Sequence, residues 1–160
     1  MKNSFTLIEL IIVVLIITIF STLSFAFYND FNQQTILKSE EKRLISVIEL
    51  ARKKAYSSDL YDPSCSNFLG YQVSIDSSGS SYSLLFNCNG IFQTLASYYP
   101  SKVNVTISPT SVDIVFPPLG VGTNISTPTI TLKNTVINKC INITINQIGV
   151  TDSNEVLVSC

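Results

Sequence analysis

Side chains that could carry out chemistry are few in this sequence and poorly grouped. The chain has no His, which excludes the Ser-His-Asp and Cys-His nucleophile systems, the zincin motif and every metal site that needs imidazole. Its aspartates are too scattered to predict a calcium loop or a paired acid and base, and they include Asp59, Asp62, Asp76, Asp113 and Asp152. We therefore predict that the protein is not an enzyme and uses no cofactor or metal ion.

Glu9 is the acidic side chain whose position is most costly. It stands directly before a run of 20 residues without charge, from Leu10 to Asn29. A carboxylate costs about 2.5 to 3.5 kcal/mol at the centre of a membrane helix and less near its ends. Glu9 therefore either flanks an apolar span at the level of the lipid headgroups, or it has a partner and a function.

The uncharged run predicts a membrane-spanning helix. At about 1.5 Å per residue, a helix of that length extends roughly 30 Å, the thickness of the hydrocarbon core of a bilayer. A cleaved signal peptide is the alternative, with Lys2 as its basic region and a cut after Ser24 or Ala26, but the apolar stretch exceeds the roughly 7 to 15 residues usual for one. Lys2 orients the N-terminus toward the cytoplasm.

The residues after this run predict that the helix continues in amphipathic form. No Gly or Pro occurs before Pro63, so we predict a single helix from Phe5 to Tyr56. One face of its second half is apolar, and it consists of Leu37, Leu44, Ile48, Ala51 and Ala55. The charged stretch 38–54 favours a solvated face, with a lipid or nucleic-acid contact as the alternative.

Beyond a turn-rich segment at 57–64, apolar and polar residues alternate as they do in half-buried strands. The alternation occurs at 103–107, 112–116, 130–132, 141–145 and 156–158. We predict a fold of the α+β class, in which a long N-terminal α-helix packs its amphipathic half against a C-terminal antiparallel β-sheet head. The predicted parts are a transmembrane half at 5–28, an amphipathic half at 29–56 and a head at 57–160.

The N-terminus resembles that of the type IV pilin and pseudopilin family. The resemblance is carried by the aliphatic run and by the string before it, Lys2-Asn3-Ser4-Phe5-Thr6-Leu7-Ile8-Glu9. It implies the pilin fold and a leader at 1–4, which a prepilin peptidase removes by cutting between Ser4 and Phe5. It also implies that the new amine of Phe5 is methylated, and that Glu9 pairs with this amine in a neighbouring subunit.

Two features depart from the family pattern. Ser4 stands where the family has Gly, so slower or failed cleavage is the alternative to normal processing. The helix lacks the Pro that many major pilins carry, so we expect it to be unbroken.

The chain after the uncharged run resembles the general secretion pathway protein H and FimT branch of minor pilins. Three features carry this resemblance: the helix end Ile48-Glu49-Leu50-Ala51-Arg52 with Ala55, the strand 112–116 before a Pro and Gly turn, and a last strand pair ending in Cys160.

All four cysteines follow the uncharged run, which suits an oxidising compartment. Four cysteines allow three pairings. Hairpins about 149–150 and about 78–79 would bring two pairs together, and we therefore predict the disulfides Cys65–Cys88 and Cys140–Cys160. Free thiols or a zinc site are the alternatives, and no Cys-x-x-Cys spacing supports zinc.

These features predict a minor pilin or pseudopilin of a type IV pilus or a type II secretion pseudopilus, in the bacterial inner membrane with a periplasmic head. Its expected partners are other pilin subunits through the N-terminal helix, the prepilin peptidase, the inner-membrane assembly platform and the lipid bilayer. Lys102, Lys133 and Lys139 against six acidic residues give the head a net charge of −3, which argues against nucleic-acid binding. The alternative is a single-span membrane protein whose periplasmic head binds a ligand or acts as an adhesin.

Overall fold

The computed structural model describes residues 6–100, 104–120, 122–125, 129–153 and 157–160, and for residues 22–27 it describes the backbone alone. The predicted leader and both processing residues, Ser4 and Phe5, lie outside the described residues. The described part of the chain forms one long helix, nine strands and a short 3₁₀ turn.

Helix α1 runs without a break over Leu7–Tyr56, a length of 50 residues. The absence of Gly and Pro permits this length, and polar caps close both ends. Thr6 is the N-cap, and its side chain accepts a hydrogen bond from a backbone amide of the first turn. At the other end, the Ser57 amide donates to the Lys53 carbonyl at 3.0 Å.

The predicted fold class is wrong in two respects, although the chain is of mixed α and β structure. Among the described residues, no helix has the length and apolar character needed to cross a membrane. The head also holds two antiparallel sheets where the sequence predicts one. The predictions of a transmembrane half and of a pilin fold with a single sheet are therefore wrong.

Two antiparallel sheets make up the head. The strands of the first sheet are β1 (Phe68–Ile75), β2 (Tyr82–Cys88), β3 (Ile91–Tyr98) and β5 (Val112–Phe116), in the order β3-β2-β1-β5. The strands of the second are β4 (Val105–Ser108), β6 (Thr129–Asn134), β7 (Lys139–Ile145), β8 (Thr151–Ser153) and β9 (Val158–Ser159), in the order β4-β6-β7-β8. The strand β9 also pairs with β7, beside β8.

The strands that sequence alternation predicts are those with one buried and one exposed face. Strands β4, β5, β6 and β7 coincide with predicted stretches. For the first three strands, the sequence predicts only a hairpin about 78–79, which corresponds to the turn between β1 and β2. Strand β1 is an inner strand that buries four consecutive residues, 70–73, so it lacks the period of two on which the prediction depends.

The core lies between α1 and the two sheets. The five residues that the helical period assigns to one apolar face are all buried, with at most 1% of their surface exposed: Leu37, Leu44, Ile48, Ala51 and Ala55. The sheets cover this face with large side chains that belong to the same cluster, among them Tyr71, Val73, Phe86, Ile114, Phe116, Leu132 and Ile143. The amphipathic half of α1 is thus the layer on which both sheets pack.

A buried amide fixes α1 to the second sheet. Asn134, at the end of β6, has no exposed surface. Its Nδ2 donates to the side-chain oxygen of Gln33 at 3.0 Å and to the Gln33 carbonyl at 3.3 Å. Its Oδ1 accepts the Val136 amide at 2.9 Å. Both ends of this amide are satisfied, which removes the desolvation cost of burying it.

We predict that Leu44→Ala lowers the free energy of unfolding by about 2 to 5 kcal/mol, because it leaves a cavity between α1 and the sheets. Ser46→Ala, on the exposed face of the same helix, should change it by less than about 0.5 kcal/mol. Urea unfolding followed by circular dichroism measures both values. Equal effects of the two variants would contradict the packing of α1 on the head.

Candidate assembly site

The N-terminal part of α1 exposes apolar side chains on all sides. Leu10, Ile11, Ile12 and Val13 are consecutive, and each keeps 45–61% of its surface exposed. Because neighbours in an α-helix point about 100° apart, these four residues alone cover most of the circumference. The exposure continues to Phe20, at 67%. We call 7–20 the apolar segment; contiguous apolar surface of this kind marks an interaction site.

The hydroxyl groups near the end of this segment bond to the helix itself. The Thr18 hydroxyl donates to the Leu15 carbonyl at 2.8 Å, and the Ser21 hydroxyl donates to the Ile17 carbonyl at 2.8 Å. Hydroxyls satisfied in this way need no partner from outside the helix. The apolar segment therefore suits a partner that is itself apolar.

Glu9, the predicted assembly residue, holds the start of α1. Its Oε2 accepts from the Thr6 amide at 3.4 Å and from the Thr6 hydroxyl at 3.3 Å, and its own amide donates to the Thr6 Oγ1 at 3.4 Å. This is a capping box, and the macrodipole also favours negative charge at this end. Sequence reasoning missed this role, although Thr-x-x-Glu before an apolar run is its signature.

The pairing of Glu9 with the amine of Phe5 in a neighbouring subunit stays a prediction, since Phe5 lies outside the described residues. The Glu9 side chain is exposed at the end of the apolar segment. Its bonds to Thr6 are long, which leaves the carboxylate accessible to a cation.

The second half of α1 separates its charges between two faces. Glu40 and Glu41 point toward the head and are only 2% exposed. The exposed basic residues of this half are Lys38, Lys42, Arg43 and Lys53. Lys53 lies 3.8 Å from Glu49, one turn earlier on the exposed surface. The predicted solvated face is thus mainly basic.

Arg43 ties the end of β3 to the helix. Its Nη1 donates to the Tyr99 carbonyl at 3.0 Å and lies 3.8 Å from a Glu40 carboxylate oxygen. Its guanidinium lies 5.4 Å from the centre of the Tyr98 ring, which stacks on Tyr82. Burial raises the pKa of Tyr82 well above its usual range. Tyr98 is therefore a packing residue between helix and sheet.

A second contact anchors the loop that follows α1. Lys54 Nζ donates to Asp59 Oδ2 at 2.5 Å, which raises the pKa of Lys54 above its usual value. The Tyr71 hydroxyl donates to the Asp59 carbonyl at 2.6 Å. Helix, loop and β1 are thus joined at the residue where the sequence changes from helical to turn composition.

Two disulfides lie in the head, and they join the pairs that the hairpins predict, Cys65–Cys88 and Cys140–Cys160. The first connects the loop after α1 to the end of β2, with Cα atoms 5.9 Å apart. The second connects β7 to the residue after β9, with Cα atoms 5.4 Å apart. The hairpin register differs from the expected one, because Cys140 faces Val158 and bonds to its diagonal neighbour.

Two of the scattered aspartates, Asp62 and Asp76, serve as local turn acceptors. Asp76 Oδ1 accepts the amides of Ser80 and Ser81 at 2.9 and 3.1 Å, and its Oδ2 accepts the Ser78 hydroxyl at 2.6 Å. The bond from Ser78 is the main reason that the pKa of Asp76 is lowered. Across the described ranges, no group of three or more His, Cys, Asp or Glu is placed to hold a metal ion.

The sequence-predicted site residues do not meet in one place. Glu9 lies at the far end of α1 from both disulfides. Comparisons of the chain with models of protein families, with curated proteins and with solved structures found no match.

We predict that the double variant Cys140→Ser and Cys160→Ser has a free energy of unfolding lower by about 3 kcal/mol, from the loop-closure entropy of the lost link. The two cysteines are 20 residues apart, and without their bond the two-residue strand β9 loses its covalent hold on β7. Urea unfolding of the variant and of the parent, both without reductant, measures the difference. An unchanged unfolding midpoint would contradict it.

Proposed function

We propose that this protein is a minor pilin or pseudopilin, a structural subunit that assembles into a filament of the type IV pilus or type II secretion pseudopilus kind through its N-terminal helix. The observation that carries the proposal is the apolar segment 7–20, which is exposed on all sides of a helix whose later part bears the head. In the filament, the same segment of neighbouring subunits covers this surface and removes it from water.

As part of this proposal, the subunit waits at the bacterial inner membrane with its head in the periplasm. The prepilin peptidase cuts the leader between Ser4 and Phe5, and the assembly platform then adds the subunit to the filament. The two disulfides support a periplasmic head, because such bonds persist in oxidising compartments.

Glu9 has two roles in the proposed mechanism. In the single subunit it caps the first turn of α1 through Thr6. In the filament it meets the amine of Phe5 in a neighbour, where the surrounding apolar helices exclude water. A carboxylate in such surroundings is destabilising unless a cation reaches it, so only subunits in the correct axial register are accepted.

Two matched variants separate these roles. Glu9→Gln removes the charge but keeps a residue that completes capping boxes, and Thr6→Ala removes the box but keeps the charge. We predict that Glu9→Gln lowers the amount of the protein in sheared filaments at least about tenfold, because the amine of the neighbour is left unpaired. Thr6→Ala should stay within about threefold of the parent, consistent with the loss of one cap.

Immunoblots of the sheared filaments and of the cell membranes measure both variants at equal expression. Intact disulfides in the membrane fraction show that the head has folded. Normal assembly of Glu9→Gln together with failure of Thr6→Ala would remove charge pairing from the mechanism and leave Glu9 with its capping role alone.

Processing provides a separate prediction. Mass spectrometry of assembled protein should find a chain that begins at Phe5, with a methylated amine. Ser4→Gly should reach this form at least as fast as the parent, because Gly is the residue of the family at this position. Protein that keeps residues 1–4 in every fraction would favour the alternative, a membrane-anchored protein whose head binds a ligand or acts as an adhesin.

A further inference from the structure

The edge of the first sheet at β3 is a second surface suited to binding. Strand β3 pairs with β2, and none of the other described strands pairs with its outer side. Its eight residues, Ile91–Tyr98, include no charged residue and no Pro, which are two of the devices against pairing at an edge; a third device, a β-bulge, lies between Thr94 and Ala96. Ile91 and Phe92, at its start, are 74% and 50% exposed.

Other sheet edges of the head are short or covered. Asn124 lies along β5, where its Oδ1 accepts the Val115 amide at 2.8 Å and its Nδ2 donates to the Asp113 carbonyl at 3.1 Å. On β4, the Ile107 amide donates to the Gly79 carbonyl at 2.9 Å. Strands β8 and β9 have three and two residues. Strand β3 therefore differs from these edges in being long and in having an outer side with which no described strand pairs.

A cavity of about 240 Å³ lies beside the open edge. Its walls include Ile91 and Gln93 of β3, Phe86 of β2, and Asp62 and Ser64 of the loop after α1. Asp62 Oδ1 accepts the Ser64 hydroxyl at 2.6 Å and the Ser64 amide at 2.9 Å. These bonds, the hydroxyl first, lower the pKa of Asp62, so it is ionised at neutral pH. The cavity thus carries a negative charge.

The edge and the cavity fit one mode of recognition. Ile91 and Gln93 are two residues apart and share one face of the sheet, the face on which the cavity lies. Side chains of an added antiparallel strand that stand opposite them would lie on the same face. The bulge between β2 and β3 comes later, opposite Leu84 and Leu85, so the pairing is regular beside the cavity.

We propose that β3 binds an extended segment of another protein by strand addition, and that this segment carries a Lys or Arg opposite Ile91 or Gln93 that reaches Asp62. Backbone hydrogen bonds to β3 supply the affinity, and the pairing with Asp62 supplies the preference for a basic side chain. The proposal goes beyond the filament role, because it gives the head a partner of its own.

The absence of basic residues from β3 argues against the β3 edge of a second copy as the segment that binds beside Asp62. Residues 91–98 include no Lys or Arg, so a β3 edge from another copy brings no cation to Asp62. Nor do the two short edge strands β8 and β9 carry one. Since none of the described edge strands of this chain carries a cation, the proposed segment belongs to a different protein.

The test uses two synthetic peptides of nine residues, with alternating Thr and Val and a single Lys or a single Glu at the centre. Full-length protein in detergent micelles is titrated with each peptide, and hydrogen exchange of the β3 amides is followed by mass spectrometry. We expect the Lys peptide to slow exchange in β3 and to bind at least about tenfold more tightly than the Glu peptide.

Asp62→Asn should abolish this preference while strand addition itself remains. Asp113→Asn is the matched control, because Asp113 lies on β5 and bonds to Ser74, outside the cavity; it should keep the tenfold preference. Unchanged exchange in β3 with both peptides would overturn strand addition, and equal binding of both by the parent would overturn the assignment of Asp62. Self-association through β3 in the absence of peptide would overturn the assignment of the bound segment to a different protein.

This outcome is independent of the filament proposal. Glu9→Gln should bind the Lys peptide as the parent does, because Glu9 lies at the other end of the molecule. A failure of Glu9→Gln to assemble with normal peptide binding would leave both proposals intact. Normal assembly by the parent without any peptide binding would reject the inference about β3 alone.

Discussion

The packing of one apolar face of α1 against two sheets is the contact on which the rest of the molecule depends. Leu44 and Ile48 have no exposed surface, and residues of both sheets belong to the same cluster. Each sheet would otherwise present an apolar face to water, at a cost in free energy that grows with the apolar area exposed. The helix is therefore a structural layer of the head as well as the support of the apolar segment.

The same packing explains why one end of the chain is available for assembly. Among the α1 residues whose side chains are described, burial begins at Gln33, and residues 7–21 and 28–31 are exposed, so the head packs on the second half of a 50-residue helix. A helix hydrophobic on every side belongs in an apolar environment, and residues 7–18 all remain exposed in the described part of the chain. The division between a covered and an uncovered half follows from the length of the helix relative to the size of the head.

Polar contacts give this apolar interface its specificity. Asn134 bonds to Gln33 and Arg43 bonds to the Tyr99 carbonyl, so each sheet is attached to α1 by a directional contact as well as by burial. Apolar surfaces alone tolerate sliding, whereas hydrogen bonds with defined geometry fix rotation and register. Glu40 and Glu41, which are buried on the head side, leave the exposed side of the helix mainly basic.

Local patterns in the sequence determined the helix, its apolar face, several strands and the cysteine pairs. These features depend on spacing along the chain: Leu37 and Leu44 recur with the helical period, and Ile141, Ile143 and Ile145 alternate in a strand. Tertiary structure decided what depends on distant partners, including the division of the strands into two sheets, the open edge at β3 and the cavity at Asp62. Strand β1 shows the physical reason. An inner strand that is covered on both faces lacks the alternation of apolar and polar residues from which a strand is predicted. The charged wall beside β3 comes from Asp62, almost 30 residues earlier in the chain, and only the fold brings the two together.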